Sequence, residues 1–191
     1  MDCSQNELTA LLYKAAVGCG VPVGLAQDTA SAIVWLAARG HDAIGPFLHA
    51  LADTAPDDSP FACGQSAVDL ALASPSTPVQ LSAVAQPILV IGFAGAAATT
   101  SGCRFAIEMA NGASVVVDAT SATITGDLTD GCDLTVCATG DAANIAPQHL
   151  GAVVVADDAW QQASIYAART YVPATEASRL KGAGAGLTDN D

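Results

Sequence analysis

Through the first fifty positions the apolar residues recur with helical spacing. Ser4-Gln-Asn-Glu7 opens the pattern as a capping box, in which the Ser hydroxyl and the Glu carboxylate satisfy each other's backbone N–H groups. Leu8, Leu11, Leu12, Ala15, Ala16 and Cys19 follow on one face until Gly18, Gly20 and Pro22 stop the run. A second helix is expected from about Gly24 to Arg39, burying Leu25, Ala26, Ala30, Ile33, Val34 and Ala37, with Gly40 placed for a left-handed C-cap. A third, shorter helix after Pro46 packs through Phe47, Leu48 and Leu51. The turn-rich stretch Thr54 to Pro60 then reads as a linker.

The pattern changes in the middle of the chain. Ser66 to Ser74 fits either a strand or a helix. Ile88 to Ala98, after Pro87, is an apolar run shorter than the roughly 18–20 residues of a membrane span and reads as a buried helix, with Gly92 and Gly95 permitting close approach to a sheet. Phe105, Ile107 and Met109 then alternate with Ala106 and Glu108, and Asn111-Gly112 precedes Ser114 to Asp118, which predicts a hairpin with a type I′ turn. Thr120 to Thr125 and Asp133 to Cys137 complete a four-stranded antiparallel meander, with Ile107, Val116, Ile124 and Val136 on a face that helices must cover. Ala152 to Val155 adds a short strand. Asp157 or Asp158 caps a final helix to about Arg169, with Trp160, Ala163, Ala167 and Tyr171 inward. The expected fold is α+β: an N-terminal three-helix lobe packed with a four- to five-stranded antiparallel sheet plus additional helices.

At 191 residues the chain suits one compact unit, organised as a helical lobe over 1–54 and an α+β body over 61–191. Composition narrows the partners. A net charge of -13 with six basic residues offers no cationic surface for nucleic acid or anionic lipid. The six cysteines accompany an N-terminus in which Asp2 and Glu7 stand where a secretory leader would be basic and then apolar, so the cytoplasm is the expected compartment. Cys132 and Cys137 lack the second close pair of a zinc site and read as small buried hydrophobes, and no metal or cofactor is expected.

Candidate chemistry is sparse. Lys14 is one of two lysines, on an otherwise Leu- and Ala-rich helix. It suits either a desolvated base or a stem over apolar surface with its ammonium near Asp28. His41 and His49 lack the i, i+4 spacing of a metal-binding His pair on a helix, and Pro46 intervenes, so a cluster of His41, Asp42, His49 and Asp53 gives way to Asp42 as a helix N-cap and both histidines as surface or half-buried groups. His149 follows Pro147 in a loop, and without a Gly-x-Ser-x-Gly elbow a hydrolase triad has no support. The densest polar set is the tail, Thr170 to Asp191. It is expected to dock through Tyr171, Pro173 and Leu180 with Arg179 paired to an acid or a bound carboxylate, and Gly182 to Gly186 permit the fold-back.

That tail, with Lys14-Ala-Ala, Gly24-Leu-Ala and Trp35-Leu-Ala, resembles a bacterial family of unknown function, domain-of-unknown-function family 3726. Arg39-Gly-His-Asp-Ala-Ile-Gly45, after two amphipathic helices, is similar to the Arg-Gly-His-Asp-Ser-His-Gly motif of the type-2 malate/lactate dehydrogenases, which use a nicotinamide cofactor. The resemblance covers about the first fifty residues. The Ser-His pair of that motif falls on Ala43 and Ile44, so it implies a similar helical hairpin and not hydride transfer. Two function classes stay open. One is a non-catalytic accessory or interaction protein, for instance a homodimer. The other is a small-molecule enzyme or binding protein for a carboxylate or an amine, with candidate pocket residues Lys14, Trp35, Arg39, Tyr171, Glu176, Ser178, Arg179, Asp189 and Asn190.

Overall fold

The structure, a computed structural model, describes residues 1–53, 59–141 and 151–171. Chain order is β1 (Asp2–Cys3), α1 (Gln5–Gly18), α2 (Val23–Ala37), α3 (Ile44–Asp53), α4 (Pro60–Ala73), β2 (Val79–Val84), α5 (Pro87–Ser101), β3 (Cys103–Met109), β4 (Ser114–Val117), β5 (Ala122–Thr125), β6 (Cys132–Asp141), β7 (Val153–Val154) and α6 (Asp157–Ala168). The architecture is α+β, with helices stacked on one face of an antiparallel sheet. The linker read at Thr54 to Pro60 falls largely on residues outside the described ones.

The capping box forms: the Ser4 N–H donates to Glu7 Oε2 at 2.8 Å and the Glu7 N–H donates to Ser4 Oγ at 3.2 Å. The second helix ends at Ala37, and Gly40 (φ +80°) closes it as a Schellman motif, with the His41 N–H on the Leu36 carbonyl and the Gly40 N–H on the Ala37 carbonyl. Thr29, Ala32, Trp35 and Leu36 join the expected apolar face in burial, because α2 is packed between α1 and α5. The ambiguous stretch 66–74 belongs to α4, which packs on α5, β2 and β6. β2 carries only a short, half-exposed pattern and was not legible as a strand.

Strand pairing corrects the meander. The order is β2-β6-β3-β4-β5, all antiparallel, so β6 returns beside β3 rather than following β5. Strands β3 to β6 thus form a Greek key. Residues 126–131 make the crossing, and Asn111 holds it by donating from Nδ2 to the Asp127 carbonyl and Thr129 Oγ1, both at 3.0 Å. Asn111-Gly112 does sit at the β3–β4 tip, but the turn is not type I′. The only non-glycine residues with positive φ among those described are Ser76, Ala83 and Gln86, and Gly112 alone in this turn has one, at +89°. The Gly112 N–H reaches the Met109 carbonyl, and the Met109 N–H reaches the Ala113 carbonyl. The loop therefore has three residues, ending in a left-handed glycine.

That extra loop residue resets the register. Ile107 opposes Val115 and Phe105 opposes Val117, so Val115 and Val117 are buried while Val116, expected inside, is 46% exposed. The inner face is covered by α5 over Phe105, Ile107, Val115 and Val117 and by α4 over Leu134 and Val136, and each such side chain contributes roughly 1.5–3 kcal/mol by leaving water.

Three further expectations change at the ends. β7 is not a strand of the main sheet but pairs with β1 in a separate two-stranded sheet. Ala156, not an aspartate, occupies the N-cap of α6, and Asp157 and Asp158 lie in its first turn, favourably placed against the helix dipole. Tyr166 takes the inner position expected of Tyr171, since α6 ends at Ala168 and Tyr171 lies beyond it, 63% exposed. All six cysteines are free thiols. Cys132 and Cys137 are an odd number of residues apart on β6 and so face opposite sides of the sheet. No helix among the described residues is long and apolar enough to cross a membrane.

Candidate functional site

Gly92 and Gly95 set the position of α5, though against α2 rather than against the sheet. A Cβ on Gly92 would stand 2.9 Å from the Ala32 carbonyl oxygen, and one on Gly95 would stand 2.4 Å from Cδ2 and Cε3 of Trp35. The indole therefore lies on bare helix backbone, with Trp35 6% exposed. Its Nε1 is a buried donor with no hydrogen-bond partner among the described residues. An unpaired buried donor costs about 1–3 kcal/mol relative to one that is satisfied.

Arg39 extends from the end of α2 over the same ring, Cζ 4.0 Å from the ring centroid. Its Nε donates to the Thr120 carbonyl at 2.9 Å, Nη1 to the Trp35 carbonyl at 2.8 Å and Nη2 to the Ala119 carbonyl at 2.9 Å. The 119 and 120 carbonyls are presented by the β4–β5 turn. Asp118 Oδ1 shapes that turn by accepting from the Thr120 N–H at 2.8 Å, the Thr120 hydroxyl at 2.8 Å and the Ser121 N–H at 2.9 Å. Burial pushes the Asp118 carboxyl up, but the hydrogen bonds from Thr120 and Ser121 together outweigh it and hold its pKa below the ordinary value. Burial lowers the Arg39 pKa, and the Asp118 charge opposes that shift.

Trp35 and Arg39 form one wall of an open hollow of about 340 Å³. Ser31, Thr99, Thr100 and Ala119 complete it, with Gln5 and Thr9 of α1 at its margin. The hydroxyls of Ser31 and Thr99 donate to the carbonyls of Gln27 and Gly95, both at 3.0 Å, which leaves their oxygens as acceptors. The hollow thus combines an aromatic wall, a guanidinium with N–H groups beyond the three already used, a buried indole donor and hydroxyl oxygens.

Lys14 is elsewhere. It is exposed, one and a half helical turns beyond Thr9, with Nζ 5.6 Å from the centroid of Tyr171. The ring, rather than Asp28, is its neighbour; Asp28 has its carboxyl pushed up by burial and by the charge of Asp69. The structure therefore joins Trp35 with Arg39 and Lys14 with Tyr171, as two separate places. Glu176, Ser178, Arg179, Asp189 and Asn190 lie outside the described residues, as do His149 and the docking contacts read for the tail. His41 is half-buried, with its pKa lowered by burial and then by Arg39, while His49 is exposed. α3 begins at Ile44, so the residue before it is Ala43, and Asp42 is not its N-cap. Among the described residues no group of three or more His, Cys, Asp or Glu could hold a metal ion.

Thr99, Thr100, Ala119 and Thr120 were not among the candidate pocket residues, and Thr120, expected to open a strand, lies in the turn before β5. Asp118-Ala-Thr-Ser121 carries a local turn signal, but its meeting with Arg39, some eighty residues earlier, has none. No curated protein and no solved structure matches the chain, and nothing found supports the similarity of its first fifty residues to the type-2 malate/lactate dehydrogenases. Residues 3–83, which carry Lys14-Ala-Ala, Gly24-Leu-Ala and Trp35-Leu-Ala but not the tail, match the model of the family described as protein of unknown function, DUF3726.

Proposed function

We propose that this is a small-molecule-binding protein that takes a carboxylate or other strong acceptor group in the hollow beside Trp35 and Arg39. The observation that carries the reading is the buried Trp35 Nε1 without a partner, next to a half-buried guanidinium and beside an open hollow. A ligand oxygen reaching Nε1 satisfies a donor that otherwise destabilises the fold, and Arg39 supplies the countercharge. The test is titration of ¹⁵N-labelled protein with benzoate, with benzylammonium as the opposite charge. The Trp35 indole resonance is expected to move saturably with benzoate alone, while Trp160, the other tryptophan, serves as internal reference. Benzoate leaving the Trp35 resonance of folded protein in place, or moving both indoles alike, refutes the site.

A second reading, a non-catalytic accessory protein acting through another protein or a second copy of the chain, is favoured by apolar side chains left in water on the helices, Leu70 of α4 at 58% and Ile165 of α6 at 51%. Single exposed apolar residues are common on monomers, so this reading stands second. Light scattering across a concentration series separates the two.

A further inference from the structure

Around Trp35 and Arg39 stand hydroxyls that a simple carboxylate would not engage: Thr9 of α1, Ser31 of α2, and Thr99 and Thr100 at the end of α5. Ser31 and Trp35 lie one turn apart on α2, and Arg39 follows just past its end and folds back over the indole. Thr99 is tied to the guanidinium. Its Oγ1 lies 3.4 Å from the Ala119 carbonyl oxygen that Arg39 Nη2 also reaches, at 2.9 Å.

The protons of these hydroxyls are all committed within their own helices. Thr9 donates to the Gln5 carbonyl at 2.8 Å, Ser31 to that of Gln27 at 3.0 Å, Thr99 to that of Gly95 at 3.0 Å and Thr100 to that of Ala97 at 3.0 Å. A hydroxyl that donates to its own helix offers only lone pairs to a ligand. The hollow is therefore divided. Arg39 and the unpaired, buried Trp35 Nε1 supply donors on one wall, and the hydroxyl oxygens supply acceptors around them.

The acceptors call for neutral donors. Arg39 is the one charged residue bounding the hollow among those described, so a ligand ammonium would meet a guanidinium and no countercharge there. Asp118, whose charge reaches Arg39, has Oδ1 occupied by the N–H and hydroxyl groups of Thr120 and Ser121. Reach sets the length of the ligand. Side chains one helical turn apart are separated by roughly 5–6 Å, more than separates the carboxylate and the hydroxyl of a short acid such as lactate.

We infer that the hollow is built for a polyhydroxylated carboxylate, a sugar acid long enough to span a helical turn, with its carboxylate on Arg39 and its hydroxyls donating to Thr9, Ser31, Thr99 and Thr100. This rests on the carboxylate reading of the same hollow and narrows its ligand. A site lined by acceptors that expect a hydroxyl discriminates strongly against an analogue without one, because the acceptors then lose water and gain no donor.

The experiment is an NMR titration of the full chain, read at the Trp35 indole and the methyl groups of Thr99 and Thr100. The probes are gluconate, hexanoate (the same carbon chain and carboxylate without hydroxyls), glucitol (the hydroxyls without the charge) and lactate. Gluconate is expected to shift all three residues saturably and to bind roughly tenfold or more tightly than any of the others. Ser31→Ala and Thr99→Val, both at exposed positions, are each expected to weaken gluconate severalfold and leave hexanoate unchanged, with circular dichroism confirming the fold. Hexanoate, glucitol or lactate binding as tightly as gluconate overturns the inference, as does gluconate affinity unchanged in both variants. A Trp35 response to benzoate alongside any of these results leaves the carboxylate reading standing alone. A Trp35 indole that answers no carboxylate, benzoate included, removes both.

Discussion

Arg39 over Trp35 and Lys14 over Tyr171 are both a cation on an aromatic ring, and they are unequal partnerships. Arg39 is half-buried, makes three hydrogen bonds to backbone carbonyls and lies 4.0 Å from a ring that is itself 6% exposed. Lys14 is exposed, and its ammonium sits 5.6 Å from a ring that is 63% exposed. A planar guanidinium can donate in several fixed directions while stacking, and a desolvated site strengthens each contact; an ammonium in water is screened and keeps its hydration. The first pair ties α2 to the β4–β5 turn, whereas the second rests on the surface. Residue type alone does not rank them, because the ranking comes from what else surrounds the charge.

The sharpest way to break the buried pair is to lift its ring. Gly95→Ala places a methyl group 2.4 Å from the indole, and neither the α5 backbone nor the ring can yield locally, so a loss of about 3 kcal/mol is expected. Denaturant unfolding measures it, and a loss below about 1 kcal/mol would mean that α2 and α5 are not in the contact described. Arg39→Ala comes next, at about 2 kcal/mol, since it leaves the carbonyls of Trp35, Ala119 and Thr120 without their donor. Arg39→Lys should recover less than half, because an ammonium cannot reach three carbonyls and stack at once.

Asp118→Asn sharpens the comparison through pH. The native Asp118 pKa lies below its ordinary value, so its stabilising contribution is present above the unfolded-state pKa and is lost as pH falls through the folded one. The variant should be about 1 kcal/mol less stable at neutral pH, with the difference closing in acid below the usual carboxylate range. A gap that persists unchanged at low pH would show that the charge on Asp118 is not what holds the turn. Smallest of all, Lys14→Ala is expected to change stability by about 0.5 kcal/mol, the low end for exposed cation–ring pairs, because the ammonium is near the outer limit of such contacts. A loss comparable to that of Arg39→Ala would erase the distinction between the two pairs.

Much of the local structure was legible, and for a local reason in each case. Ser4 and Glu7 are three residues apart and cap one helix start; Pro87 opens a helix whose apolar run marks it as buried; Asn111-Gly112 marks a tight turn. Apart from the caps of α3 and α6, the misses were not local. The turn's third loop residue turned Val116 outward, and only the pairing of β3 with β4 reveals it. Gly92 and Gly95 were read correctly as sites of close approach, but the approaching surface was α2 instead of a sheet. Trp35 and Arg39 were chosen as candidate site residues on type, yet their hollow is completed by Thr99 and Ala119, which no pattern connects to them.

What the sequence determined by itself was therefore most of the inventory: outside the 60–84 region, which stretches form helices and strands and roughly where they begin and stop, and that the fold is α+β. Hydrophobic period, caps and turn residues act over a few positions, and the chain carries them directly. The tertiary structure decided the strand order β2-β6-β3-β4-β5, the face that each strand buries and the meeting of Arg39 with the 118–121 turn. Those depend on contacts closed across tens of residues. Antiparallel pairing can satisfy the same backbone groups in more than one order, and burial of the sheet under α4 and α5 together selects among them.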